Sequence, residues 1–280
     1  MAKASVLQPA YVLHQWAWSE TSTILDLFTR EQGRVAAVAK GAKRPYSQLR
    51  SVLLPFQRIH VSFGRPKTDE GSDVVTLRSA EFVGGAPMLS ADRLMSGFYL
   101  NELLMKLLAR QDANAHLFDA YADTLQALAW PASAKVAAGS SATGVAIDVA
   151  TDVATDVATD AAALRAFELT LLHEMGVLPE LDRNTLTQEP LTNELHYTLR
   201  AEAGLVAASP SDPALSAAQC WALQAALMLR HGAALRTATA AALLPLRQQL
   251  RPMLDYHLAS PQLRTRQAML DLRRLLAAPV

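Results

Sequence analysis

Residues 21–41, TSTILDLFTREQGRVAAVAKG, decide the class of fold because they predict a β-hairpin. Leu25 and Leu27 alternate with residues of the opposite face, which include Asp26, and this is typical of a strand with one wet face. Gly33 follows as a turn residue, so the runs on either side of it can pair as adjacent strands. The second run, GRVAAVAKG, predicts a short strand.

Three further runs extend this β pattern over the first eighty residues or so. They are PAYVLHQWAW at 9–18, PFQRIHVSFG at 55–64 and GSDVVTLRSAEF at 71–82. Five short strands in such a segment predict a small closed barrel, and the OB-fold is a five-stranded barrel that binds oligonucleotides. Closure also leaves few exposed strand edges. We therefore predict an OB-fold nucleic-acid-binding domain over residues 1–83.

Helical periodicity replaces the β pattern after a linker at residues 84–87. Apolar residues recur at spacings of three and four in MSGFYLNELLMKLLAR, and similar stripes follow. The predicted helices cover about 95–110, 114–129, 163–176, 214–231, 240–258 and 264–276. The fold class is therefore α+β, with a five-stranded OB-fold β-barrel followed by a mainly α-helical domain at 84–280. Within it, residues 177–210 are weakly patterned and predict a small subdomain with a short hairpin.

A low-complexity segment at about residues 131–160 contains DVAT three times, from Asp148 to Thr159. Aspartates at every fourth position raise a metal site as one interpretation, because stacked like charges on a helix are unfavourable without a cation. No glycine turn or glutamate completes a calcium loop, however. We interpret the segment as a variable insertion in a tolerant surface loop, part of which can extend the next helix.

Charge is unevenly distributed in a chain whose 26 basic and 26 acidic side chains cancel. Residues 32–68 hold eight basic side chains and no acidic one, whereas residues 90–220 hold seven basic and seventeen acidic ones. Residues 221–280 are basic again. Such asymmetry bears on partners, and a polyanion is the first candidate for the N-terminal segment. The alternative is a solvated strand face whose cations only provide solubility.

Other classes of protein find little support in the sequence. A single cysteine, Cys220, excludes an intrachain disulfide framework and a zinc site built on a cysteine cluster. We expect a cytoplasmic protein with no membrane partner, because a transmembrane run and a secretory signal pattern are both missing. Phosphate-binding glycine loops, GxSxG and HExxH are absent, and the histidines lack ligand spacing. We therefore expect no enzymatic activity, and a hydrolase site in the helical domain is the disfavoured alternative.

Several sequence blocks occur in a specific order along the chain. They are YVLHQWAWSETSTILDLFTREQGRVAAVAKGAKR, LLPFQRIHVSFG, GFYLNELLMKLL, LRAFELTLLHEMG and HLASPQLRTRQAML. Together they resemble the bacterial DNA repair and recombination mediator family RecO. The resemblance implies a non-enzymatic, nucleoid-associated protein that binds single- and double-stranded DNA, anneals complementary strands and helps load recombinase. It also implies three partners, which are RecR, the acidic C-terminal tail of single-stranded DNA-binding protein and, indirectly, RecA.

The basic segment and the resemblance together select candidate DNA-binding residues. They are Arg34, Lys40, Lys43, Arg44 and Arg50. The aromatic residues available for occasional base stacking are Trp16, Trp18, Tyr46, Phe56 and Phe63. Nothing indicates base-edge readout, so we expect binding without sequence specificity. The competing interpretation is an OB-fold adaptor that binds RNA or protein without annealing activity.

Two further expectations concern the helical domain and follow from the resemblance. Arg165 matches the family's LRRFEL motif, so Arg165 is expected to anchor the acidic tail beside a hydrophobic notch at Leu169 and Leu172. Many family members carry a cysteine zinc site after this helix. This chain has Asn184 in that region and no cysteine from 177 to 219, so we expect no zinc and no other cofactor.

Overall fold

The structure is a computed structural model that describes residues 7–64, 74–84, 88–130, 149–258 and 263–277. Contacts divide the chain into two compact units, of which the first comprises Met1–Asp119 and Leu263–Val280 and the second Ala120–Gln262. The barrel domain predicted over 1–83 is therefore one part of the first unit. That unit also includes the helix that follows the barrel and the C-terminal helix.

In the described residues the strands and helices follow the order β1–β3, α1, β4, β5, α2–α4, β6–β8 and α5–α8. The strands are β1 Gln8–Ala17, β2 Thr23–Thr29, β3 Gly33–Ala39, β4 Ile59–Phe63, β5 Val74–Phe82, β6 His196–Arg200, β7 Gly204–Ala207 and β8 Leu215–Ser216. The helices are α1 Leu49–Val52, α2 Ala91–Leu107, α3 Ala115–Ala129, α4 Val149–Glu174, α5 Ala217–Met228, α6 Gly232–Ala240, α7 Leu243–His257 and α8 Arg264–Ala277. None of the described helices is long and apolar enough to cross a membrane.

The first five strands close into a barrel in the order β1-β2-β3-β5-β4, with β4 also paired to β1. All neighbouring strands are antiparallel except β3 and β5, which run parallel. Leu25, Leu27, Ala37, Ile59 and Val61 point into its core and are fully buried. The predicted hairpin and the predicted OB-fold barrel are thereby confirmed.

Gly33 is required at the β2–β3 turn for two reasons. Its φ of +66° lies in the left-handed region, which residues with a side chain rarely adopt. A Cβ atom at this position would also lie 1.8 Å from the carbonyl oxygen of Asp112, so the backbone after α2 packs directly on the turn. The turn glycine seen in the sequence therefore also sets a close approach that the sequence does not reveal.

Helical residues of the first unit cover the outer face of the strands β1 to β3. The Phe118 ring lies 5.3 Å from that of Tyr11 and 5.4 Å from that of Phe28, and all three side chains are buried. On α2, Asn101 donates from Nδ2 to the Leu13 carbonyl oxygen at 2.9 Å. The part of this face around Tyr11, Leu13 and Phe28 is consequently a protein interior rather than a solvent-exposed surface.

The second unit combines helices with the small sheet β7-β6-β8. Tyr197 pairs with Ala207 across β6 and β7, so the hairpin predicted between residues 177 and 210 is present. Helix α4 contributes Phe167 and other buried apolar side chains, and Thr239 on α6 donates a hydrogen bond to the Ala162 carbonyl oxygen. Helix packing and one short sheet thus form a second core.

The DVAT copies differ from the predicted surface loop. Residues 149–160 form the first turns of α4, because alanine favours helix and acidic residues near a helix N-terminus complement its dipole. The interpretation that part of the segment extends the next helix is the one that holds. The remainder of the predicted insertion, residues 131–148, lies outside the described residues.

Candidate nucleic-acid interface

One end of the barrel is formed where β1 and β3 finish and β2 begins. Ala17 pairs with Thr23 on one side, and Thr23 pairs with Ala39 on the other. The β1–β2 turn, residues 18–22, and the segment after β3 therefore leave the barrel side by side. We call residues 40–50, which end with the first two residues of α1, the basic loop, because they contain four of the five cations selected from the sequence.

Hydrogen bonds hold the basic loop against the β1–β2 turn. Lys43 donates its backbone N–H to the Thr21 carbonyl oxygen at 3.0 Å and its Nζ to the Ser19 carbonyl oxygen at 2.8 Å. The chain reverses at Gly41, whose φ of +73° is a conformation that glycine adopts without strain. The backbone N–H of Arg44 then donates to the Gly41 carbonyl oxygen at 3.1 Å. The loop is therefore a fixed surface of the barrel unit.

The four cations of the basic loop, Lys40, Lys43, Arg44 and Arg50, are all exposed. Among the residues that the structure describes, none of the four forms an ion pair with a carboxylate. Glu20 on the neighbouring turn is exposed as well and supplies one opposing charge. The barrel end thus carries a net positive charge that faces water, and such a surface attracts polyanions over long distances.

Arg34 lies near the start of β3, whereas the basic loop follows the end of that strand. Its guanidinium contacts the carboxylate of Asp26 through Nε–Oδ1 at 3.0 Å and Nη2–Oδ2 at 2.9 Å. Its Nη1 donates to the carbonyl oxygens of Leu108, at 3.0 Å, and Met105. Asp26 is fully buried and the Arg34 side chain is only 14% exposed. The structure therefore gives the Arg34 donors protein partners, and a DNA contact by Arg34 stays a prediction.

A signal for this ion pair was present in the sequence. Asp26 is the single carboxylate in β2 and β3, and the pairing register places it opposite Ala36, two residues from Arg34. Diagonal neighbours on one sheet face are within reach of long side chains. The pair could have been predicted from the hairpin alone, but its two backbone carbonyl partners could not.

The aromatic residues separate into core and surface. Phe56 is 4% exposed, and its ring packs 5.0 Å from that of Phe98. Trp18 is 64% exposed and Tyr46 is 99% exposed, whereas Trp16 is 43% exposed and packs edge-on against a histidine. Stacking by Phe56 is therefore excluded in this structure, and Trp18 and Tyr46 are the most accessible rings near the basic loop.

The three residues of the predicted tail site lie on α4. Arg165 pairs with Glu168 at 2.5 Å, and the side chain of Arg165 is 14% exposed while that of Glu168 is fully buried. Leu169 and Leu172 are both fully buried in the core. Both leucines therefore belong to a packed helix face, and binding of the acidic tail beside Arg165 stays a prediction.

A cleft that sequence reasoning missed lies in the second unit. It has a volume of about 480 Å³ and is lined by Trp130, Arg230, His231 and Arg236, with Asp123 also in its wall. Arg230 lies 3.7 Å from a glutamate on α4. In the described residues, Arg236 forms no ion pair. The cleft has only a weak signal in the sequence, since its lining comes from α3, α4 and α6 and from the turn between α5 and α6.

The residues after α4 do not fit the zinc site of the family. Asn184 accepts hydrogen bonds from the backbone N–H groups of Leu186 and Thr187, at 3.0 and 3.3 Å, so hydrogen bonds shape this turn. Cys220 is fully buried, and burial raises the pKa of its thiol to about 12. Among the described residues, no group of three histidine, cysteine or carboxylate side chains could hold a metal ion.

Comparison with known proteins gives a consistent family assignment. The family model described as recombination protein O N terminal matches residues 1–86, and the one described as recombination protein O C terminal matches residues 88–138. A relative named DNA repair protein RecO from Variovorax paradoxus (strain S110) is 48% identical over 273 residues, which cover 96% of each chain. A relative of the same name from Verminephrobacter eiseniae (strain EF01-2) is 44% identical over 279 residues, which cover 98% of this chain and 99% of the relative.

Proposed function

The chain belongs to the recombination protein O family of DNA repair proteins, and we propose that its basic loop binds single- and double-stranded DNA without sequence specificity. The observation that carries this proposal is the cluster Lys40, Lys43, Arg44 and Arg50, exposed on a loop that hydrogen bonds hold in place. Backbone contacts of this kind position a protein on DNA but carry no sequence information.

Counterion release supplies the affinity in this proposal. Each phosphate neutralised by a lysine or arginine releases condensed cations, and this makes binding strongly dependent on salt. The same surface assists annealing, because mutual repulsion opposes the approach of two polyanionic strands and a cluster of cations lowers it. No covalent chemistry is required, so we propose that the protein acts as a mediator rather than as an enzyme, in the cytoplasm beside the nucleoid.

The test is a salt titration of the variant in which Lys40, Lys43 and Arg44 are all replaced by alanine. Loss of three phosphate contacts should reduce the slope of log K against log salt by about 2 on single strands and about 3 on duplex. The control replaces Arg200, Arg247 and Arg251 in the second unit, which are also exposed and carry the same charge. Equal slopes for the two triple variants would show that net charge alone matters and that the basic loop is not the interface.

The acidic tail of single-stranded DNA-binding protein is a proposed partner of the second unit. The cleft at Trp130, Arg230 and Arg236 supports this proposal better than Arg165 does, because it offers the exposed Arg230 and the half-buried Arg236 beside an exposed indole. Replacing Arg236 by alanine should weaken binding of a tail peptide in an anisotropy assay, while replacing the exposed Arg247 should not. Equal binding by both variants would exclude the cleft.

RecR and, indirectly, RecA are proposed as further partners on family membership. An annealing assay with complementary strands, performed with and without single-stranded DNA-binding protein, tests the mediator activity directly. The alternative function, an OB-fold adaptor for RNA or protein, predicts that RNA competes with single-stranded DNA at equal or lower concentration. It also predicts no acceleration of annealing at any salt concentration.

A further inference from the structure

The sheet face that OB-folds commonly offer to nucleic acids is covered in this protein. OB-folds bind oligonucleotides on the face of strands 2 and 3 and on adjoining loops, which include the one between strands 1 and 2. Here Phe28 on β2 is fully buried beneath Phe118, and Asp26 is fully buried beside Arg34. A strand of DNA cannot reach this face while the helices of the same unit occupy it. Residues 18–20 of the β1–β2 turn, in contrast, are exposed.

Two aromatic side chains are exposed at this turn and on the basic loop beside it. Trp18 begins the turn and is 64% exposed, and Tyr46 in the basic loop is 99% exposed. Each lies within three residues of the hydrogen bond from the Lys43 N–H to the Thr21 carbonyl oxygen, which joins the two segments. Trp18 itself donates its backbone N–H to the Ser22 carbonyl oxygen at 3.2 Å, so the turn is closed. The two rings therefore project from fixed backbone.

The contrast with Phe56 shows that exposure is not a general property of aromatics in this part of the chain. Phe56 follows the basic loop by a few residues and is 4% exposed, and its φ is +64°. Single exposed aromatic residues are common, but here two of them lie beside four cations that form no ion pair with any carboxylate in the described part of the chain. Such a surface has both elements of single-strand recognition. Cations bind the backbone, and aromatic rings stack on bases.

We infer that Trp18 and Tyr46 form a stacking site for the unpaired bases of single-stranded DNA, placed beside the phosphate-binding cations of the basic loop. This inference rests on the proposed function and adds a discrimination that cations alone do not provide. Bases in a duplex are stacked on each other and cannot stack on the two rings. A base that stacks on Trp18 or Tyr46 must also leave that aromatic side chain before its strand can pair fully. The completed duplex is therefore bound less tightly than the separate strands.

The test compares three probes of equal length at one salt concentration. They are a thymine homopolymer, an abasic strand with the same sugar–phosphate backbone, and a duplex. Replacing Trp18 or Tyr46 by alanine should weaken binding of the thymine strand by about fivefold or more for each substitution, because stacking on one base contributes at least that factor. Binding of the abasic strand and the duplex should change by less than about twofold.

Two kinds of control variant accompany the alanine substitutions. Replacing Trp18 or Tyr46 by phenylalanine keeps an aromatic ring and should preserve most of the affinity for the thymine strand. Tyr256 is 58% exposed on α7 of the second unit, and its replacement by alanine should have no effect. Thermal unfolding by circular dichroism identifies any variant whose barrel has lost stability.

The outcomes separate this inference from the proposed function. Equal losses on all three probes, or no loss on the thymine strand, would overturn the stacking site while leaving phosphate binding by the basic loop intact. If the parent protein binds none of the three probes, the proposed function fails together with the inference. The inference would also be overturned if the phenylalanine variants lost as much affinity as the alanine variants. An aromatic ring at these positions would then not contribute to binding.

Discussion

Replacing Arg34 by alanine should destabilise the barrel unit and leave the phosphate contacts of the basic loop unchanged. The substitution removes the counter-ion of Asp26, which is fully buried, and two donors to backbone carbonyl oxygens. Removing one partner of a buried ion pair costs about 3–5 kcal/mol, because the other charge remains in a poorly solvated site. This is a large part of the free energy of unfolding of a typical domain, which is about 5–15 kcal/mol.

Arg30 provides a matched control in the same unit. It forms an ion pair with Asp119 at 2.8 Å that is geometrically similar, but the two side chains are 43% and 49% exposed. An exposed pair contributes only about 0–1 kcal/mol, so replacing Arg30 by alanine should have a small effect. Exposure to solvent is the main difference between the two arginines, and the comparison isolates it.

Urea unfolding measures both effects. Replacing Trp130 and Trp221 by phenylalanine leaves Trp16 and Trp18 as the tryptophan fluorophores, and both report on the barrel unit. With a denaturant slope of about 2 kcal/mol/M, the Arg34 variant should unfold at a urea concentration about 2 M lower than the parent. Replacing Asp26 by leucine and Arg34 by methionine together should recover most of this loss, because an apolar pair leaves no buried charge.

Two results would refute this reasoning. The first is an Arg34 variant that is no less stable than the Arg30 variant, since the buried pair would then have no measurable role. The second is an Arg34 variant that retains its stability but shows a reduced salt slope in DNA binding, which would restore Arg34 to the interface.

The remaining predictions concern three buried groups. Burial tends to raise the pKa of Glu102, but hydrogen bonds from Thr265, from the backbone of residue 264 and from Lys106 outweigh it and lower the pKa below its usual 4.5. The stability from this contact is therefore fully present above about pH 4.5 and is lost as the pH falls through the lowered folded-state pKa. Circular dichroism should show that α8 becomes less stable in that acidic range. Replacing Glu102 by glutamine should remove this pH dependence. Replacing Arg165 by alanine should lower the free energy of unfolding by about 3 kcal/mol in urea titrations, because Glu168 is buried; unchanged stability together with lost tail binding would favour the original anchor. Cys220 should resist iodoacetamide at pH 8 in the folded protein and react in urea, because its pKa is about 12; rapid labelling of the folded protein would contradict its burial.

The cleft in the second unit and the predicted tail site on α4 show which features the periodicity of apolar residues cannot predict. An apolar stripe at Leu169 and Leu172 predicts that a helix has one apolar face, and both a packed core and an open notch satisfy that pattern. The structure shows the packed core. The cleft at Arg230 and Arg236 brings together residues that are distant from Trp130 in sequence, and no local pattern predicts such a convergence.

The local pattern of the sequence determined the barrel, the helices and the basic loop. These patterns are short-range features of the chain: alternating apolar residues, a turn glycine and a run of cations without acidic residues. Each one determines local structure through the backbone or determines the net charge of a segment. Only the tertiary structure decided which cations face water. Arg34 and Lys40 are six residues apart in one charge cluster, yet one is held by Asp26 and two carbonyl groups and the other is exposed. Solvent exposure depends on what the rest of the chain places over a residue, and that is a property of long-range packing.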